Sequence, residues 1–175
     1  SLEKLQKEGM KSLVLDLRGN GGGLLQEAVD IADEFLSDNK LIVYTEGANS
    51  KRHDFVCKRP GLFETGKLTV LIDETSASAS EVLAGALQDW DRATIIGRRS
   101  FGKGLVQQQF GLTDGSAVRL TIARYYTPLG RNIQRPYDKG KLAYEHDFIN
   151  RIQDDANGKQ DSIIKGKSYK TPKGN

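Results

Sequence analysis

SLVLDLRGNGGGLLQEAVDIADEFL, residues 12–36, decides the fold class. Its first six residues form a short apolar run rich in Leu and Val, the pattern of a buried strand. The run passes into Arg18-Gly19-Asn20-Gly21-Gly22-Gly23, where positive φ is cheap and the backbone can approach a ligand closely. Leu24, Leu25, Ala28, Ile31, Ala32, Phe35 and Leu36 then recur at steps of three and four, which predicts one face of an amphipathic helix over 24–36.

The same strand-to-helix passage comes again. Residues 68–72 (LTVLI) read as a second buried strand, Asp73-Glu74-Thr75-Ser76 leads out of it, and Val82, Leu83, Ala86 and Leu87 place a helix over 79–89. Residues 94–96 read as a third short strand, 41–45 and 52–57 as a strand pair joined through Gly47-Ala48-Asn49-Ser50. Thr113-Asp114-Gly115 is a hairpin turn between strands 105–112 and 116–126. There Val118, Leu120 and Ile122 alternate with Arg119, Thr121 and Ala123, which predicts one buried face. Strands alternating with helices make the chain α/β. Beyond Pro136 the pattern fades into charged sequence with one helix expected over 141–152, and the last twenty residues read as loop or partly ordered tail.

The bulk properties narrow the function. A chain of 175 residues is one domain, or one domain and a tail, and buries roughly 70% of its unfolded surface. With 26 Lys and Arg against 23 Asp and Glu, the net charge of +3 is too small for a nucleic-acid partner, and no basic stripe interleaves with aromatics. A single cysteine, Cys57, excludes an internal disulfide and any CxxC site, and packing is its expected role. No His/Cys/Asp cluster has ligand spacing, so neither metal nor cofactor is expected. No apolar run approaches the roughly 20 residues of a membrane span. The opening residues 2–9 read as the last turns of a charged helix, as in a piece of a longer protein, so the lack of a signal peptide says nothing about compartment.

Thr75-Ser76-Ala77-Ser78-Ala79-Ser80-Glu81 sits where a buried strand turns into a helix. A helix start offers unpaired N–H groups and a positive dipole end to an oxyanion, so Ser78 is a candidate nucleophile. The same residues fit the capping box S-x-x-E, and the segment alone does not separate a cap from a nucleophile. A nucleophilic serine needs a base. His53 lies in a polar hairpin and His146 in the late helix, and neither has the spacing of a triad. Lys103 stands between Gly102 and Gly104, beside Phe101, Leu105 and Val106, entering a strand. Burial there would favour the neutral amine, which a Ser–Lys dyad requires. Residues 97–104 also match a phosphate-binding loop up to the last position, but Gly104 replaces the required Ser or Thr and a strand follows instead of a helix.

In order along residues 10–135, several segments resemble the carboxyl-terminal processing (tail-specific) peptidases. They are LDLRGNGGG (15–23), SASASE (76–81), AGALQD (84–89), Arg92-Ala93, Ile96-Gly97, FGKG (101–104), Gln107, Thr127-Pro128 and Gly130-Arg131. The resemblance implies Ser78 as nucleophile and Lys103, 25 residues later (103 − 78), as base. It implies Gln107 as the residue orienting Lys103, and a regular pleat would point 103, 105 and 107 to one face. It implies an oxyanion hole of the Ala79 N–H and a glycine N–H, Gly22 being favoured over Gly21 or Gly23. Arg98 and Arg99 depart from the family, where an acidic and a small residue or Pro are common.

The resemblance further implies a strand–strand–helix spiral core of the crotonase and Clp-protease type. Residues 1–135 would be the peptidase core, lacking the N-terminal helical region and the PDZ domain, and 136–175 a C-terminal extension, partly loop. It implies protein or peptide substrates cleaved near their carboxyl termini, and a bacterial periplasm or cell envelope. Membrane contact would fall to parts outside this chain, and the oligomeric state stays open. Two alternatives stand beside the peptidase: an inactive core or scaffold, and a crotonase-like acyl-CoA enzyme, whose chemistry needs no such serine.

Overall fold

Two crossovers of the same hand-over, strand to loop to helix, build the centre of the molecule. A computed structural model describes residues 2–157 and 167–175. After a short helix α1 (Leu2–Lys7), strand β1 (Ser12–Asp16) leads to helix α2 (Leu25–Asp33), and strand β4 (Lys67–Ile72) leads to helix α3 (Ala79–Asp89) and strand β5 (Thr94–Gly97). These strands form a three-stranded parallel sheet in the order β1-β4-β5, with Val14, Thr69 and Thr94 in line. Leu68 and Val70 of the central strand are buried in the cluster that holds Ala32 of α2 and Val82, Ala86 and Leu87 of α3. The continuous apolar run at 68–72 therefore reflects a central strand of a parallel sheet.

The second sheet is antiparallel, in the order β3-β2-β7-β6, from β2 (Leu41–Gly47), β3 (Ser50–Val56), β6 (Leu105–Gly111) and β7 (Ala117–Tyr126). Ile42 and Val43 are wholly buried and join this sheet to the same core. Trp90, at the end of α3, donates its indole N–H to the Leu41 carbonyl at 2.8 Å, fixing the helix to β2. Helix α4 (Gly140–Ala156) follows, longer than the 141–152 expected.

Two expectations change. Helix α2 ends at Asp33 instead of 36, although Phe35 and Leu36 remain buried. Carbonyls beyond its end are claimed by other partners: Glu34 O accepts the Phe63 N–H at 2.8 Å and Phe35 O the Arg92 Nε–H at 3.0 Å. The hairpin β6–β7 does not bury one face. Val118 and Leu120 are exposed, and burial begins only at Ala123. Alternation reports a pleat with two unlike faces, but it does not supply a layer to cover one, and no described residue covers this hairpin's outer half.

Candidate active site

The turn between β4 and α3 is stitched to the glycine-rich loop after β1. Asp73, the residue after β4, accepts the Gly19 N–H at 3.1 Å, the Thr75 hydroxyl at 2.7 Å and the Ser76 N–H at 3.0 Å. Burial pushes the Asp73 carboxyl up, but the hydrogen bonds from Thr75, Gly19 and Ser76 outweigh it and leave its pKa lowered. Ser76 is wholly buried and donates its hydroxyl to the Leu17 carbonyl at 2.8 Å. Ala77 N–H donates to Asn20 O at 3.0 Å. At the loop's entrance the Arg18 guanidinium forms a two-pronged pair with Asp16, at 2.9 and 2.7 Å, and holds that carboxyl at about 2.

Ser78 itself has φ 55° and ψ −116°. An ordinary N-cap lies in the extended region. A non-glycine residue in a sparsely populated conformation costs on the order of 1–3 kcal/mol and persists only where its surroundings hold it. One half of the capping box helps hold it, the Ser78 N–H donating to Glu81 Oε2 at 2.9 Å, beside a first-turn backbone bond from the Glu81 N–H to Ser78 O at 2.9 Å. Cap and nucleophile are thus not exclusive readings of this serine. The box keeps a strained residue at the head of a buried helix.

Glu81 does more than cap. Its buried carboxylate also accepts the Ser100 hydroxyl at 2.7 Å, the Gly102 N–H at 2.7 Å and the Lys103 N–H at 2.8 Å. An acceptor-only carboxylate has room for all four donors. One side chain therefore binds the backbone of both Ser78 and Lys103, residues 25 apart in sequence (103 − 78). The sequence signalled the bond to Ser78 through the S-x-x-E spacing; the bonds to 100–103 are long-range and left no local sign.

The Lys103 side chain is exposed, not buried beside Phe101 and Val106 as expected. The residue precedes β6, an edge strand that is itself exposed from Gln107 onward. Gln107 is exposed as well. A register shift between Val106 and Gln107 interrupts the pleat, so alternation does not by itself carry Gln107 to the face of Lys103.

Of the three consecutive glycines, Gly22 is pressed against the serine turn. At φ +89°, a Cβ placed there would lie 2.5 Å from Ala77 O, 2.7 Å from Ala79 N and 3.0 Å from Ser78 Cβ, whereas Gly21 and Gly23 face open space. The Gly22 N–H donates to Asn20 Oδ1 at 2.9 Å, within an Asx turn. Ala79 is the first residue of α3, where helix amides lack an intrahelical acceptor.

The remaining candidates lie elsewhere. His53 pairs with Thr45 between β3 and β2 and stands edge-on to Phe55, with ring centroids 4.7 Å apart. His146 belongs to α4. Cys57 is buried, and burial, reinforced by Asp33, pushes its thiol to about 12, so it is protonated at neutral pH. Among the described residues no group of three or more His, Cys, Asp or Glu converges on a metal position. A cavity of about 650 Å³ beside α3, lined by Ser80, Ala84, Arg131, Gln134 and Tyr169 among others, includes neither Ser78 nor Lys103.

Comparison with known proteins adds the family. The model of peptidase family S41 matches residues 1–139. A carboxyl-terminal-processing protease of Picosynechococcus is 44% identical over 145 residues, covering 77% of this chain and 32% of its own length. A carboxy-terminal-processing protease of Bartonella bacilliformis is 49% identical over 134 residues, covering 75% of this chain and 30% of its own. The chain thus spans about a third of the length of these relatives. Among solved structures, the photosystem II D1 C-terminal processing protease superposes with a TM-score of 0.71 at 44% identity, over 75% of this chain and 34% of the other. A lipoprotein from Streptococcus agalactiae shares the fold at 19% identity, with a TM-score of 0.60 over 75% of this chain and 49% of the other.

Proposed function

Given that the chain belongs to peptidase family S41, we propose that it is the catalytic core of a serine endopeptidase that cuts proteins near their carboxyl termini. Ser78 is the nucleophile, Lys103 the base, Gln107 the residue that orients Lys103, and the N–H groups of Ala79 and Gly22 the oxyanion hole. The observation that carries the reading is the strained Ser78 backbone, tied through one buried carboxylate to the backbone of Lys103. Strain of this kind is kept where function needs a side chain aimed away from the usual direction.

In the reaction, Ser78 Oγ bonds to the scissile carbonyl carbon as its proton passes to the neutral Lys103 amine. Negative charge on the carbonyl oxygen falls to the Ala79 N–H and to the Gly22 N–H, which exchanges Asn20 Oδ1 for it. The ammonium then protonates the leaving amine as the peptide bond breaks. The freed amine next takes a proton from water, whose oxygen attacks the acyl carbon, and Ser78 leaves with a proton returned from Lys103. Neutral lysine requires withdrawal from water. Because Lys103 lies exposed, an extended substrate laid over it would provide that withdrawal. β6 is an edge strand of its sheet among the described residues, so strand addition there would bring the peptide past Lys103.

We further propose residues 1–135 as the peptidase core and 136–175 as its extension, with a spiral of crotonase and Clp-protease type, a PDZ domain and helical region supplied outside this chain, and work in a periplasm or cell envelope. The relatives include chloroplast as well as bacterial proteases, and no described helix is long and apolar enough to cross a membrane. The exposure of Lys103 favours one second reading: a core that stays inactive until another part of the protein covers it. Peptide cleavage separates the two. Ser78→Ala, Lys103→Ala and Lys103→Arg should each abolish cleavage with the fold intact, the last because guanidinium does not deprotonate in the working range, and Gln107→Ala should only slow it. Parent chain that takes up a small serine probe but cleaves nothing supports the covered-core reading. Cleavage by Lys103→Arg contradicts the dyad.

A further inference from the structure

The loop that delivers Lys103 is held from two sides, and only one of them belongs to the helix of the serine. On the α3 side stands Glu81. On the opposite side stand the segment 133–135 and helix α4. Arg135 N–H donates to Gly102 O at 2.9 Å, and Gln134 Oε1 accepts the Gly104 N–H at 2.9 Å. Gly102, at φ +88°, lies so close that a Cβ there would sit 2.7 Å from Arg135 Cβ. From α4, Arg151 donates to the Ser100 carbonyl at 3.0 Å and, more weakly, to the Phe101 carbonyl at 3.4 Å. The Phe148 ring packs on Phe101 with centroids 5.1 Å apart.

This contact is built, not incidental. The side chain of Arg151 is only 9% exposed, and that of Arg135 only 4%. Both point at one carboxylate of α4, Asp147 Oδ2, Arg135 at 3.1 Å and Arg151 at 3.4 Å. Arg135 also lies over the Tyr144 ring at 3.6 Å. Two cations buried to this depth are tolerated only when paired and hydrogen-bonded, and two of the bonds of Arg151 reach the residues just before Gly102-Lys103.

We propose that Arg151 is a positioning residue for Lys103, which makes α4 part of the working site. The proposal rests on Lys103 being the base. By holding the Ser100 and Phe101 carbonyls, Arg151 fixes the direction in which Gly102-Lys103-Gly104 enters β6, while Glu81 holds the amides of the same loop. Without it, the loop keeps its Glu81 bonds but gains freedom, and the amine spends less time near Ser78 Oγ.

The test is the rate of Ser78 labelling by a peptidyl fluorophosphonate long enough to lie over Lys103, followed against pH, in the 175-residue chain and its variants. Arg151→Met keeps the apolar stem against Phe148 and removes the donors. It should lower the labelling rate roughly tenfold, the factor that goes with losing one such hydrogen bond, and move the pH profile. Arg151→Lys, which can still reach one carbonyl, should recover part of the rate. Amide exchange over 100–104 should quicken in Arg151→Met while the thermal midpoint stays within a few degrees. Labelling of Arg151→Met at the parent rate with the parent pH profile overturns the proposal. So does a rate loss that only tracks global unfolding and is equal for Met and Lys. Ser78→Ala separates this from the underlying reading. Label that persists in Ser78→Ala, or a parent chain that takes none, overturns the assignment of Ser78 and Lys103 itself. Label confined to Ser78 and indifferent to Arg151 overturns only the positioning role.

Discussion

The serine turn and the lysine loop meet at one carboxylate yet are made in opposite ways. Around Ser78 nearly everything is buried: Ser76, Ala77, Ala79, Ser80 and Glu81 all are, and Asp73 binds the glycine loop to the turn. Around Lys103 the backbone is fixed at its root, by Glu81 and by the 133–135 segment, while the side chain and the hairpin beyond it stand open. Ser78, the proposed nucleophile, is therefore preorganised by its own core. Lys103, the proposed base, is preorganised only as far as its Cα, and the remainder is left to whatever covers the sheet. That asymmetry is what a cleft for an extended chain requires: one rigid wall and one face left vacant for a strand.

Removing the shared carboxylate should break the comparison most severely. Glu81→Ala strands four donors that face a buried oxygen pair, at about 1–3 kcal/mol for each that stays unsatisfied. We expect labelling of Ser78 to fall at least about a hundredfold, near 2.7 kcal/mol, with a lowered thermal midpoint; Glu81→Gln should lie between. A Glu81→Ala chain that labels at the parent rate would mean the two regions do not depend on it.

Asp89 offers an ion pair away from the chemistry that is buried at its carboxylate end. It is 2% exposed, pairs with Arg131 and accepts the Leu129 N–H at 2.9 Å. Asp89→Ala should cost about 1–3 kcal/mol of stability, since it leaves the part-buried Leu129 N–H without its acceptor while Arg131 stays partly in water, and leave labelling well below the thermal midpoint unchanged. A selective loss of labelling would extend the rigid wall to the far end of α3.

Acid should loosen the serine side in a defined window. The Asp73 carboxyl is lowered in the folded chain, so its contribution is complete above the unfolded value near 3.9 and disappears as pH falls through the lower folded value. The protection of the Gly19 amide, relative to the intrinsic exchange rate at each pH, should hold at pH 5 and fall once the pH drops below the unfolded value near 3.9. In Asp73→Asn the acid step should be missing. The smallest effects belong to the histidines: His53→Ala and His146→Ala should leave labelling and cleavage nearly unchanged, and a dead histidine variant would move the base away from Lys103.

Much of the serine side was legible because its determinants are local. The Leu-rich strands, the glycine run and the S-x-x-E box at 78–81 each carry their own signal, and the parallel crossovers follow from their order. The lysine side was less legible. Flanking Phe101 and Val106 pointed to burial of Lys103, but burial depends on a covering layer, which neighbours in sequence do not specify. The alternation at 118–122 misled for the same reason. Arg151 left no sign at all, because a charged residue in a weakly patterned helix looks solvated until a partner 51 positions earlier, the Ser100 carbonyl, is placed beneath it.

The most direct test of the account is where a fluorophosphonate attaches. Mass mapping of the labelled chain should place the phosphonyl group on Ser78 and on neither Ser76 nor Ser80, and Lys103→Arg should take up none at neutral pH. An adduct on another serine, or equal labelling of Ser78 in Lys103→Arg, would contradict it.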